Sequence, residues 1–110
     1  MKKMGVVEIV LALKEDDQVT YDLKLDGKKI GCIQIMENGI ENIWVAKEYE
    51  CKGYGSMLLN HVERIAKITG YEKMSAEAIN EKAESLFRKN GYLLEKDEHN
   101  EFRGNKSLKE

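Results

Sequence analysis

The sequence predicts an α+β fold: a single domain with a mixed, mostly antiparallel sheet and two main helices. Three observations carry this expectation. Short apolar runs separated by turn-forming pairs fill the first half of the chain. From Gly53 onward the apolar residues recur at helical spacing instead. Two such helical stretches each stop at a glycine, Gly70 and Gly91, before a short strand-like run. The 110 residues fit one domain, taken as 1–110, and their 42 % hydrophobic content supplies a core. No proline marks a linker.

The elements follow in order. Val6 to Leu13 is aliphatic and β-branched apart from Glu8, and it reads as a strand buried on both faces. It is too short to cross a bilayer. Lys2 and Lys3 precede it with no small-residue cleavage pattern, so the expectation is a soluble, cytoplasmic protein that does not engage membranes. Val19, Tyr21, Leu23 and Leu25 alternate with Thr20, Asp22 and Lys24, the mark of a half-buried strand. Asp26-Gly27 tolerates the positive φ angles of a hairpin turn. A third strand runs from about Lys29 to Met36. Asn38-Gly39 signals a second hairpin, and Ile40 to Val45 is the fourth strand. Such short connections force antiparallel neighbours.

Leu58, Val62, Ile65 and Thr69, widened by Leu59 and Ala66, make one face of a helix over Gly53 to Thr69. Glu72 to Ala78 is a strand with Met74, Ala76 and Ala78 on one side. A helical crossover makes it parallel to the strand ending at Val45. Asn80 is a good N-cap for a second helix carrying Ala83, Leu86 and Phe87. Tyr92-Leu93-Leu94 opens another strand. Beyond Glu95 only Phe102 and Leu108 are large and apolar, so a marginal last strand with a frayed, solvated end is expected.

Composition excludes several classes. Charged residues are 35 % of the chain, yet the formal net charge is −2, which argues against a nucleic-acid partner. Cys32 and Cys51 form no CxxC pair, and His61 and His99 have no ligand spacing, so no metal and no disulfide framework are implied. Cys51 lacks a neighbouring histidine and reads as a loop residue, not a nucleophile. Cys32 reads as a small core residue.

The chemistry lies in the stretch Ile43 to Leu59: a strand, a polar loop with Gly53 and Gly55, then an amphipathic helix. Glycines let a ligand approach the backbone, and the first N–H groups of the helix point outward with no internal partner. They make an anion site suited to a pyrophosphate, to which the Ser56 hydroxyl and Lys52 add a donor and a charge. A dinucleotide fold fits poorly because Leu58 stands where a third glycine belongs. A P-loop fits poorly because no Gly-Lys-Ser/Thr follows.

Glu50-Cys51-Lys52-Gly53-Tyr54-Gly55 resembles the acetyl-CoA loop of the GNAT superfamily, Arg/Gln-x-x-Gly-x-Gly/Ala. Asn80 to Tyr92 resembles that family's Asn-x-x-Ala-x-x-Leu-Tyr-x-Lys-x-Gly-Phe. The order and spacing of the two segments agree as well, and the likeness covers roughly Lys29 to Leu94. It implies a GNAT-like acetyl-CoA-binding domain that transfers an acetyl group to an amine by direct attack, releasing CoA. The strand ending at Val45 and its parallel neighbour would splay to admit the pantetheine arm. The implied cofactor residues are Trp44, Val45, Glu50, Cys51, Lys52, Gly53, Tyr54, Gly55, Ser56, Asn80 and Phe87. A backbone N–H around Val45 would polarise the acetyl carbonyl. A side chain at Gly55 would fill the space of the pyrophosphate. Asn80 would bond the CoA arm while capping its helix.

Glu41 is the candidate general base, with Glu77 as the alternative. Two positions depart from the family. Glu50 stands where Arg or Gln is usual, and Phe87 replaces the tyrosine that acts as general acid, leaving Ser85 and Tyr92 as other donors. Only Lys14 to Gln18 separates the first two strands, where the family commonly has one or two helices, so the acceptor side should be open. The resemblance implies an amine acceptor, and a monomer or homodimer is expected. The competing reading is a non-catalytic CoA-binding or protein-interaction module.

Overall fold

The structure is a computed structural model and describes residues 5–109. Lys2 and Lys3, which enter the reading of the chain's start, lie outside the described residues. Seven strands form one sheet of order β1-β2-β3-β4-β5-β7-β6. The first four, β1 (Val7–Glu15), β2 (Gln18–Leu25), β3 (Lys28–Met36) and β4 (Gly39–Val45), are successive antiparallel neighbours. Asp26 and Gly27 both have positive φ, 51° and 82°, as their hairpin requires. The next turn falls one residue earlier than Asn38-Gly39. Glu37 takes the positive φ of 54°, because Asn38 is committed to the neighbouring strand. Its carbonyl accepts from Ser75 N–H at 2.9 Å, and its Nδ2 donates to the Lys73 carbonyl at 2.9 Å.

Helix α1 (Tyr54–Thr69) crosses over to β5 (Lys73–Ala78), which pairs with β4 in parallel. Gly70, at φ 108°, ends α1 and donates to the Ala66 and Lys67 carbonyls. The buried stripe of α1 is Leu58, Leu59, Val62 and Ala66, with Glu63 among them; Thr69 is exposed. Helix α2 (Glu81–Lys89) then leads to β6 (Leu93–Lys96) and β7 (Phe102–Ser107). No helix among the described residues is long and apolar enough to cross a membrane.

Both helices pack on the same face of the sheet. Glu63 of α1 reaches Lys106 of β7, and the Arg88 guanidinium of α2 lies over the Phe102 ring of the same strand face. The core between helices and sheet centres on Leu23, Ile30, Ile33, Leu58, Leu59, Val62, Met74 and Phe87. The opposite face carries neither helix. Leu13, Met36 and Trp44 stand on it, each more than two-fifths exposed.

Two strand expectations are corrected. The first strand is an edge strand and is mostly exposed, not buried on both faces. Leu11 opposes Tyr21, but Leu13 opposes Thr20, so Ala12 is an extra residue that throws Leu13 onto the bare face. The last strand is not marginal. β7 lies inside the sheet, paired with β5 and with β6. Its polar outward residues hide an alternation in which Phe102, Gly104 and Lys106 face the helices. Lys106 is accommodated there by the Glu63 carboxylate at 2.9 Å, and Leu108 is buried.

Candidate functional site

β4 and β5 share only two register pairs, Gly39↔Ser75 and Ile40↔Ala76. The next residue causes the parting. Ile35 opposes Ile40 and Gln34 opposes Asn42, so Glu41 is a bulge residue that bends β4 away. Beyond it the strands enclose a cavity of about 650 Å³, walled by β4, the end of β5, the loop before α1, the first turn of α1 and the length of α2. Ala46 N–H donates to the Ile30 carbonyl at 2.7 Å, toward β3. Strand alternation therefore turns the Val45 N–H the other way, toward the side that β5 has left.

The two helix starts differ. Asn80 caps α2, its Oδ1 accepting from Ala83 N–H at 2.8 Å, and Glu81 and Glu84 answer the helix dipole. α1 has neither device. Gly53 at its N-cap offers no side chain, and its first turn holds no acidic residue. The first intrahelical bond runs from Met57 N–H to the Gly53 carbonyl. Among the described residues, the N–H groups of Tyr54, Gly55 and Ser56 thus start a helix with no side-chain cap and no acidic residue in the first turn.

Gly53 has φ 88°, and a Cβ there would meet nothing within 4 Å. Gly55 differs. Its Cβ would lie 3.0 and 3.1 Å from the Leu86 methyl carbons, so this glycine permits α1 to approach α2. Asn90 ties the same contact, donating from Nδ2 to Ser56 Oγ at 3.0 Å and to the Leu86 carbonyl at 2.8 Å.

Of the residues expected at the cofactor, Trp44, Val45, Glu50, Cys51, Gly53, Gly55, Ser56, Asn80 and Phe87 line the cavity, as does Glu41. Lys52 and Tyr54 are not on its wall. Lys52 is exposed, and Tyr54 packs edge-on against Tyr49. Cys51 is exposed at φ 61°. Cys32 is half-buried on the bare face rather than in the core, and burial pushes its thiol up. Of the two spare proton donors, Ser85 lines the cavity. Tyr92 does not: its hydroxyl donates to Glu63 Oε2 at 2.7 Å inside the core, and burial pushes its pKa up.

Glu50 does not face the cavity as an unpaired charge. Lys82, at the start of α2, lies 3.1 Å from both of its carboxylate oxygens. Sequence reasoning missed Lys82, since a separation of 32 positions leaves no local signal. At the other end of the cavity the two carboxylates proposed as bases differ. Glu77 accepts from Arg103 at 3.3 Å, and its hydrogen bond and charge raise the Glu101 carboxyl. Among the described residues the Glu41 carboxylate has no hydrogen-bond or ion-pair partner.

The wall fits the CoA that the resemblance implies. The open space at Gly53 and the uncapped α1 N–H groups suit a pyrophosphate. Asn80 uses only Oδ1 in its cap, so its Nδ2 remains available to another partner.

A family model described as the acetyltransferase (GNAT) family matches residues 4–92. No curated protein matches the chain. Among solved structures, the PaiA N-acetyltransferase of Thermoplasma acidophilum, in complex with coenzyme A, is 25% identical with a TM-score of 0.74. The match covers 83% of this chain and 61% of that one, so this chain spans about three-fifths of that protein's length. The IAA acetyltransferase of Bacillus cereus is 24% identical, with a TM-score of 0.72 and coverage of 83% and 78%. A Bacillus anthracis chain solved with acetyl coenzyme A is 18% identical, with a TM-score of 0.71 and coverage of 90% and 82%. The last two likenesses speak to the fold alone.

Proposed function

Because this chain belongs to the acetyltransferase (GNAT) family, we propose that it transfers an acetyl group from acetyl-CoA to an amine. The observation that carries the reading is the uncapped start of α1, opening through Gly53 onto the cavity where β4 and β5 part. Acetyl-CoA, when bound, supplies an acetyl thioester with an electrophilic carbonyl. The N–H groups over Gly53 to Ser56 hold its pyrophosphate, and Asn80 Nδ2 donates to its arm. The Val45 N–H donates to the carbonyl oxygen as negative charge grows there. Glu41, on the cavity wall, takes the proton from the attacking amine, directly or through water. Phe87 cannot donate a proton, so water or the Ser85 hydroxyl would supply the one that the thiol leaving group needs.

The bare face of the sheet leaves the acceptor side open, which suits an extended amine such as a peptide. The pool of acetyl-CoA inside cells puts this activity in the cytoplasm, carried by a monomer or homodimer. A thiol-release assay over a panel of amines and peptides, paired with a CoA thermal shift, tests the reading. Acetyl-CoA-dependent thiol release that requires an amine is the expected result. A shift without turnover on any acceptor would favour the non-catalytic module, the second reading, which Phe87 supports. No shift at all would remove both.

A further inference from the structure

We propose that Lys82, held by Glu50, is the cation that this chain sets against the pyrophosphate of CoA; the inference rests on the cavity being the CoA site. Glu50 stands three residues before Gly53, on the loop that delivers the α1 N-terminus. Lys82 stands in the first turn of α2, across the same cavity. Its Nζ is equidistant from the two Glu50 oxygens, at 3.1 Å. An ammonium has three donors, so at least one remains after both oxygens are served. The lysine side chain is 73% exposed and open to an arriving ligand, whereas the glutamate is 29% exposed.

The charges at the cavity mouth make this arrangement necessary. A bare carboxylate beside the α1 N-terminus would repel a diphosphate from the very N–H groups that should hold it. The family pattern avoids this with Arg or Gln at the position of Glu50. Here the positive charge is supplied from the other helix, and the acidic residue becomes its holder. Lys82 is therefore the group that touches the ligand, and Glu50 the carboxylate whose charge it neutralises. The pair is neutral as a unit, so its removal from either side has opposite consequences.

Binding of CoA and of 3′-dephospho-CoA by calorimetry tests this on the intact chain. Wild-type protein that fails to bind CoA would refute the reading of the site itself. Given wild-type binding, Lys82→Met should weaken both ligands by about tenfold or more, because it removes a charge-assisted contact and leaves Glu50 unpaired. Glu50→Gln should bind CoA at least as tightly as wild type. In the Glu50→Gln background the penalty of Lys82→Met should shrink, since no stranded carboxylate remains. Thermal unfolding without ligand should change little in all three, as for any exposed pair, which separates recognition from folding. CoA affinity in Lys82→Met within about twofold of wild type would overturn the proposal. So would a loss confined to CoA and absent for 3′-dephospho-CoA, which would put Lys82 on the 3′-phosphate. An undiminished penalty in the Glu50→Gln background would overturn the role given to Glu50.

Discussion

Gly55 and Gly53 sit two residues apart, yet a Cβ at Gly55 meets Leu86 while one at Gly53 meets nothing within 4 Å. At Gly55 a valine would press on Leu86, where a Cβ alone comes within 3.0 Å. We expect Gly55→Val to lower stability by about 1–3 kcal/mol through overpacking, read by urea unfolding. Adding Leu86→Ala should recover part of that loss and, with it, the CoA thermal shift. A double variant that regains stability but not the shift would return Gly55 to the ligand. Phe87 poses a chemical question. It is 1% exposed but stands on the cavity wall, so a para hydroxyl added there has one polar outlet. Phe87→Tyr should raise the rate at saturating acetyl-CoA with CoA affinity little changed, by up to about a hundredfold if the phenol aligns with the leaving sulfur. An unchanged rate in an active enzyme would mean that water or Ser85 already supplies the proton, or that chemistry does not limit turnover.

Between elements, Glu63 ties α1 to Tyr92, just before β6, and to Lys106 of β7. Tyr92 is 2% exposed, and burial, the Glu63 hydrogen bond and the Glu63 charge together hold its proton. Its folded pKa is raised, so its contribution is intact below the unfolded value of about 10 and is lost as pH climbs beyond it. Wild-type stability should therefore fall above about pH 10 more steeply than that of Tyr92→Phe, by up to about 1.4 kcal/mol per pH unit. At neutral pH the same variant should cost about 1–3 kcal/mol, since Glu63 loses one partner in the core. Urea unfolding across that range checks both, and parallel alkaline limbs would refute the assignment.

This tie also shows what the sequence could and could not disclose. Hairpins, crossover helix and glycine stops were legible because turn chemistry and periodicity are local. β7 was not, because a lysine on its inner face breaks the apolar alternation unless Glu63, 43 residues away, is known to meet it. The exposure of β1 was hidden for a related reason. An aliphatic run looks the same at an edge as at the centre of a sheet, and the bulge at Ala12 is visible only in the pairing. At the site, the glycine loop and Asn80 were readable from spacing and resemblance. The Glu50–Lys82 pair and the contact of Gly55 with Leu86 were long-range contacts with no local trace.

For the molecule as a whole, CoA bound only to the folded state should stabilise it by mass action, about 2.7 kcal/mol at a hundred times the dissociation constant. A melting temperature that does not rise with CoA concentration would contradict that. The parting of β4 and β5 has a mechanical consequence as well. Two stiff plates, one of four strands and one of three, meet along a seam only as long as Asn38 to Ile40. Pulled apart by anchors placed on β1 and β6 in an optical trap, the molecule should yield first at that seam, with each plate surviving as a shorter-lived intermediate. A ligand wedged in the cleft grips both plates, so CoA should raise the force of the first rip and leave the later ones alone.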